Sequence, residues 1–344
     1  MIDVLIAGGG VAGCAAAIGL ARRGCSVAIL ARARERSESL GETLPPYIRP
    51  LLAELCVWGR FLSDAHAPSY GMYSAWGESE LYSNDFIFHP RGPGWRLDRK
   101  RFDEMLEHAA REAGAMFYPG AAADCIAETG AGWDLSMRGG GSLRARLLVD
   151  ATGRAASLAR KTGARRHTLD RTVAVARSYR VLVKHASADS FTLVETSPHG
   201  WWYSARLPSG DVAVLFFTDP EFRRHYEPPP HTAARLRGCQ CVTEPKVYAA
   251  SSSCLDRVAG QRWLAVGDAA STWDPLSSQG IAKALQSSSA AAAAIADHFG
   301  GDSNAISSYA AQAQAGFHKY LGVRQHYYGR EKRWPASPFW RRCQ

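Results

Sequence analysis

Asp3 to Ala7 is polar only at its start, and Val4-Leu5-Ile6-Ala7 reads as a short buried strand running straight into Gly8-Gly9-Gly10-Val11-Ala12-Gly13. Cys14 to Arg23, rich in Ala and Leu, then reads as a helix, and Ser26 to Leu30 as a second strand. Together they form a βαβ unit of about thirty residues. After Pro45-Pro46 a short helix is predicted from Pro50 through Leu55, with proline where a first turn tolerates it. Alternating and aromatic residues from Ser69 to Pro93, broken by Gly71, Gly77, Pro90 and Gly92, predict short antiparallel strands. Arg101 to Gly114 reads as an amphipathic helix and Ala145 to Asp150 as an apolar strand. A second β-rich stretch comprises Val173 to Val183, Phe191 to Glu195, Gly200 to Leu207 and Val212 to Thr218, with Pro208-Ser209-Gly210-Asp211 as a turn. Glu227-Pro228-Pro229-Pro230 interrupts the chain before a short helical piece. Arg262 to Val266 is a further buried strand, Gln279 to Phe299 a long Ala-rich helix, and Ser303 to Tyr320 another.

The β-rich pieces interrupt an α/β framework twice. The predicted fold class is α/β: a Rossmann-type cofactor domain assembled from 1–68, 96–165 and 255–300, a β-rich substrate domain inserted as 69–95 and 166–254, and C-terminal helices over 301–344.

Composition narrows the classes. Over 344 residues, 46% are apolar and 21% charged, an ordinary globular balance. The bland run Ser287 to Ile295 is too short and too weakly apolar to span a bilayer, and Met1 to Ala7 lacks the basic leader of a signal peptide, so a cytoplasmic protein without a membrane partner is expected. The eight cysteines form no CxxC pair and no Cys/His cluster of zinc spacing, which argues against a metal site or a disulfide framework. The net charge of +9 is spread along the chain without a nucleic-acid-binding motif, so no nucleic-acid partner is expected.

The first segment with chemistry is the glycine turn. Gly8 permits the tight bend, Gly10 lets the backbone approach a pyrophosphate, and Gly13 allows close helix–strand packing, while the helix start at Val11-Ala12 offers free N–H groups. The second strand of such a unit normally ends in an acid that holds the ribose; here Ala31 and Arg32 follow Leu30. Arginine there would suit a 2′-phosphate, but the later segments favour Arg32 lying beside the adenine or capping the ribose edge. The second segment, Trp95 to Asp103, resembles the stretch of the aromatic-hydroxylase flavoproteins in which an arginine before a helix contacts FAD. Arg99 is the matching residue, its planar guanidinium being suited to phosphate oxygens. The third, Leu147-Leu148-Val149-Asp150-Ala151-Thr152-Gly153-Arg154, resembles the strand-end motif near the pyrophosphate in that class; Asp150 is expected to serve a turn. The fourth is Gly267-Asp268-Ala269-Ala270 with Asp274-Pro275-Leu276-Ser277-Ser278-Gln279-Gly280-Ile281. It resembles the motif whose aspartate, here Asp268, binds the ribityl chain, and whose loop, here Pro275 to Ile281 with Ser278, Gln279 and Gly280, passes the flavin ring. A helix starting there would aim backbone N–H groups and its dipole at the reduced, anionic isoalloxazine. The cofactor expected is FAD, and no metal.

Gly41-Glu42-Thr43-Leu44-Pro45-Pro46 resembles the GES/GET-L-P element of the flavin-dependent tryptophan halogenases and their relatives, which adds Glu42 and Thr43 to the expected cofactor site. Ser74-Ala75-Trp76-Gly77, Gly200 to Pro208 and the ending Tyr328 to Trp340 complete a resemblance to the halogenase-like branch that contains the flavoprotein monooxygenases of tryptophylquinone biogenesis. Halogenation itself is disfavoured. The halogenase W-x-W-x-I-P is matched by Tyr203-Ser204-Ala205-Arg206-Leu207-Pro208, and no lysine lies between Gly41 and Arg99 to hold hypohalous acid. The resemblance therefore implies a monooxygenase that uses O2 to hydroxylate an electron-rich aromatic, foremost tryptophan or another indole, free or within a protein or peptide. The alternatives are a small-molecule aromatic hydroxylase, a flavin oxidase or dehydrogenase, and a non-catalytic assembly factor that keeps FAD as a structural element. The candidate bases for the ring proton are His89, Glu78 and His199. Trp202 joins Trp76, Trp201 and Tyr203 as a candidate wall of a flat pocket. No second dinucleotide fingerprint occurs, so electrons are expected from an external reductant, NAD(P)H or a partner reductase.

Overall fold

The computed structural model describes residues 1–32, 40–138, 140–183 and 190–343. Strand Ile2–Ala7 is the middle of a parallel array, with Val27–Ala31 on one side and Ser142–Asp150 on the other. Met116–Pro119 continues the array beyond Val27–Ala31, and Trp263–Ala265 beyond Ser142–Asp150. Parallel neighbours need crossovers that cover the sheet, which is why Val4, Leu5 and Ile6 are all apolar and all buried. One face is covered by helix Val11–Ala21 and the long helix Gly280–Phe299. They approach closely because small residues face each other: a Cβ on Gly19 would lie 2.8 Å from Ala292 Cβ.

A second sheet draws its strands from two separate stretches. Its order is Cys239–Cys241, Val173–Val181, Val212–Thr218, Gly200–Arg206, Thr192–Ser197, Gly71–Ala75 and Tyr82–Asp85. Only the pairing of Gly71–Ala75 with Thr192–Ser197 is parallel within this run. Successive side chains on a strand point to opposite faces, so Gly200–Arg206 sends Trp201 and Tyr203 one way and Trp202 the other. Trp201 packs with Tyr328, Phe339 and Trp340, which arrive from helix Ala305–Gly329 and the short helix Pro338–Cys343. The Trp340 indole N–H donates to the Ser197 carbonyl over 2.9 Å, fixing the C-terminal segment against this sheet.

Some boundaries differ from the sequence reading. The helix expected at Pro50 begins at Ile48, which leaves proline within the first turn. The helix expected at Arg101 begins at Arg99 because Asp98 caps it, its carboxylate accepting from the Arg101 N–H. The helix expected to end at Tyr320 continues to Gly329, and an unforeseen hairpin, Ala123–Thr129 with Gly132–Met137, extends the first sheet.

Candidate active site

Three of the four sequence segments, the first, third and fourth, meet at the carboxyl ends of the parallel strands. Gly8 bends at φ +112°, and a Cβ there would sit 2.2 Å from the Ala151 carbonyl oxygen of the third segment. A Cβ on Gly13 would fall 1.8 Å from the Gly8 oxygen, so that glycine is fixed by helix–turn packing. Gly267 of the fourth segment comes against Ala12, where a Cβ would be 2.8 Å from the Ala12 side chain, and Ser288 donates to the Ala12 carbonyl over 2.8 Å. Gly10 differs from these: nothing lies within 4 Å of where its Cβ would be. The turn thus leaves open space in front of the start of helix Val11–Ala21, which carries neither a side-chain cap nor an acid in its first turn. Those are the conditions a pyrophosphate requires.

Asp150 is fully buried and works on its own backbone, accepting from Thr152 N–H and hydroxyl and from Ala159 N–H. Arg32 stands exposed just past strand Val27–Ala31. Arg99 and Glu42, picked from distant segments, form an ion pair at 3.2 Å, and Arg99 also reaches Asp103 at 3.0 Å. The Thr43 hydroxyl sits 3.1 Å from that of Tyr203, whose phenol is pushed up to about 12 by burial and donates to the Gly41 carbonyl.

At the fourth segment the structure adds a residue the sequence reading missed. Lys283, one turn into helix Gly280–Phe299, is buried and donates to Asp268 Oδ1 at 2.8 Å and to the Ser271 carbonyl. Burial would push the Asp268 carboxyl up; the Lys283 ammonium, with Arg154 and Arg166 behind it, outweighs this and holds it below the ordinary carboxylate range. An aspartate kept ionised in a cleft is a good acceptor for sugar hydroxyls. A lysine at that helical position carried no signal in an Ala/Ser-rich run. Downstream, Pro275–Ser277 forms a single tight turn, Ser278 takes a left-handed φ of 50°, and helix Gly280–Phe299 starts with no side-chain cap. Nothing lies within 4 Å of where a Cβ on Gly280 would be, and the first N–H groups of a helix have no partner within it. These residues fit a flavin: a glycine cradle for pyrophosphate, an ionised acid for the ribityl chain, and a free helix start for the ring.

The loop is pinned from behind. Asp274 is buried, and its Oδ2 accepts from the Tyr328 hydroxyl at 2.7 Å and from Arg324 Nε at 3.2 Å. Its N–H donates to the Tyr320 hydroxyl over 2.6 Å. Burial still carries the Asp274 carboxyl above its ordinary value despite Arg324. The Trp201 indole donates to the same Tyr328 hydroxyl, coupling the loop to the second sheet.

In front of the loop lies a cavity of about 1180 Å³. Trp273 to Gln279 form its floor. One face of the second sheet forms its wall in alternation, with Met72 and Ser74 on one strand and Trp76 just past its end, Thr192 and Val194 on the next, and Trp201 and Tyr203 beyond. Glu78 and His89 both line it. Trp202 and His199, also candidates from sequence, do not. Trp202 faces the far side of the sheet, stacked on Phe216 at 4.5 Å and bonded to Ser197 Oγ, because a shift of one residue reverses the face. His199 lies in the turn before Gly200 and packs on Phe222 and His225; burial first and His225 second lower its pKa. Among the described lining residues the lysine is Lys319, exposed at the mouth on helix Ala305–Gly329.

Comparison with known proteins agrees with this geometry. The profile of the tryptophan halogenase family matches residues 79–344, and that of an FAD binding domain matches residues 3–40. LodB of Marinomonas mediterranea, described as an FAD-dependent oxidoreductase, is 29% identical over 360 residues, covering 99% of this chain and 96% of LodB. The myxobacterial chondrochloren halogenase CndH superposes with a TM-score of 0.89 at 21% identity, over 100% of this chain and 86% of CndH. The peptidyl tryptophan dihydroxylase QhpG, essential for tryptophylquinone cofactor biogenesis, superposes with a TM-score of 0.76 at 23% identity, over 100% and 78% of the two chains. At such identities the structural likeness is one of fold.

Proposed function

The chain belongs to the tryptophan halogenase family and is an FAD-dependent oxidoreductase, and from that premise we propose that it is a monooxygenase that hydroxylates an indole, with tryptophan in a peptide or protein as the substrate class. The observation that carries this reading is the cavity, whose floor is the flavin loop and whose wall is an aromatic sheet face. At about 1180 Å³ it has room for a flavin ring and an aromatic guest together. QhpG, a peptidyl tryptophan dihydroxylase, shares the fold.

Bound FAD, once reduced by an external donor, activates dioxygen so that one oxygen atom joins the aromatic carbon and the other leaves as water, two electrons and two protons completing the balance. Everything else falls to the chain. Gly8, Gly10 and Gly13 with the helix start at Val11-Ala12 hold the pyrophosphate, and Asp268, kept ionised by Lys283, holds the ribityl hydroxyls. The N–H groups at Gly280 and Ile281 steady the negative charge of the reduced ring. Trp76, backed by the buried Trp201 and flanked by Tyr203, supplies flat apolar surface on which an indole stacks and from which water is excluded. Glu78 and His89, both on the cavity wall, are the groups placed to take the ring proton once the C–O bond has formed.

Halogenation competes with this reading because the family carries that activity in its name. Lys319 stands against it, since it projects from the cavity mouth on a C-terminal helix rather than from the segment after the GET-L-P element. The test is turnover of tryptophan-containing peptides with reduced FAD and air in buffer containing chloride and bromide, read by mass spectrometry. Products heavier by oxygen, unchanged by halide, are expected; chlorinated or brominated products would replace this reading with a halogenase.

A further inference from the structure

The hairpin that closes one side of the cavity exposes apolar side chains where its neighbours are anchored. Phe86 donates its N–H to the Tyr70 carbonyl at 2.7 Å and rests its ring against Gly94, and His89 donates to the Phe86 carbonyl at 2.9 Å. Between these fixed points, in the turn that follows strand Tyr82–Asp85, Ile87 is 75% and Phe88 91% exposed, and Tyr82 on that strand is 71% exposed. Across the mouth, helix Ala305–Gly329 presents Val323 and Tyr327, also exposed. Tyr82, Phe86, His89, Val323 and Tyr327 line the cavity itself, so Ile87 and Phe88, between two lining residues, stand at its rim. Large apolar side chains held out in water mark a surface meant to be covered.

Whatever covers this rim also closes the mouth. A permanent occupant, such as a second copy of the chain, would shut the substrate out. A small aromatic molecule would sink past the rim and leave it bare. A polypeptide that inserts one aromatic side chain and lays its own flanking residues on the rim satisfies both conditions. Resting on the hydroxylation reading for what happens inside, we propose that Tyr82, Ile87 and Phe88 with Val323 and Tyr327 form the docking rim for the substrate polypeptide, and that they select apolar residues on either side of the modified one.

The test uses the full-length FAD-loaded enzyme and its I87S/F88S variant. The probes are two fluorescein-labelled 15-residue peptides with a central tryptophan, one with leucine and one with serine flanks. Binding is read by anisotropy. The wild type is expected to favour the leucine-flanked peptide by about tenfold or more, and the variant to lose that preference. Both side chains are exposed, so flavin content and melting temperature should match the wild type. Equal binding of both peptides by the wild type would overturn the proposal. So would a preference that survives in the variant, or a variant that differs instead by becoming monomeric. Phe88-dependent binding without any oxygen added to either peptide would leave the docking rim standing and defeat the hydroxylation reading alone.

Discussion

Gly10 and Gly13 lie three positions apart in one turn, yet a methyl group would meet different things at each. At Gly13 it would collide with the Gly8 carbonyl at 1.8 Å; at Gly10 it would enter open space, and the backbone there has an ordinary φ of −83°. Gly13→Ala is therefore expected to destabilise the flavin-free protein, seen as a lower melting temperature. Gly10→Ala is expected to leave that temperature unchanged while weakening FAD binding by tenfold or more in a fluorescence titration, because the methyl occupies the room reserved for the pyrophosphate. A Gly10→Ala variant that binds FAD normally would remove the turn from the cofactor site. Lys283 makes the complementary point about charge: its ammonium, shielded from water, serves an acid that sequence reading had already selected, Asp268, and that pairing is visible only in three dimensions.

Among the elements, the flavin loop depends on helix residues 50 and 54 positions downstream of Asp274. Arg324 and Tyr328 lie one turn apart on helix Ala305–Gly329 and meet Asp274 at 3.2 and 2.7 Å. Removing the cation strands a buried carboxylate, so Arg324→Met is expected to cost about 3–5 kcal/mol in chemical denaturation, and Arg324→Met with Asp274→Asn distinctly less. Additive losses would show that the pair does not act as a unit. This helix also shows where reading from sequence stops. The βαβ unit and the strand Val212–Thr218 were legible as unbroken apolar runs between turn residues, and the long helix from Gly280 as an extended Ala-rich run. Residues 321–329 mix His, Gln, Arg and Tyr without such a run, and in the helix they form Arg324 and Tyr328 find partners in a distant loop. The same limit explains Trp202: three adjacent aromatic residues gave no sign of which face each would take until the pairing of Thr196 with Trp201 set the register. His199 was selected on chemistry alone and proved to be packed against Phe222.

For the molecule as a whole, the two sheets divide the labour. The parallel sheet ends at the glycine turn, Asp268 and the helix starts; the second sheet turns Trp201 and Tyr203 toward the same loop; and the C-terminal helices lock the two together through Tyr328 and Trp340. None of the described helices is long and apolar enough to cross a membrane. On the proposed function that arrangement would bring dioxygen chemistry at the flavin face to face with an aromatic guest in one cavity, and the claim to test is transfer of oxygen to that guest. The most direct measurement is turnover under ¹⁸O₂ with a tryptophan peptide, with product and peroxide followed together. The account predicts one ¹⁸O atom in the product for each O2 consumed, with no matching release of peroxide. Stoichiometric peroxide beside an unmodified peptide, or label arriving from water, would contradict it.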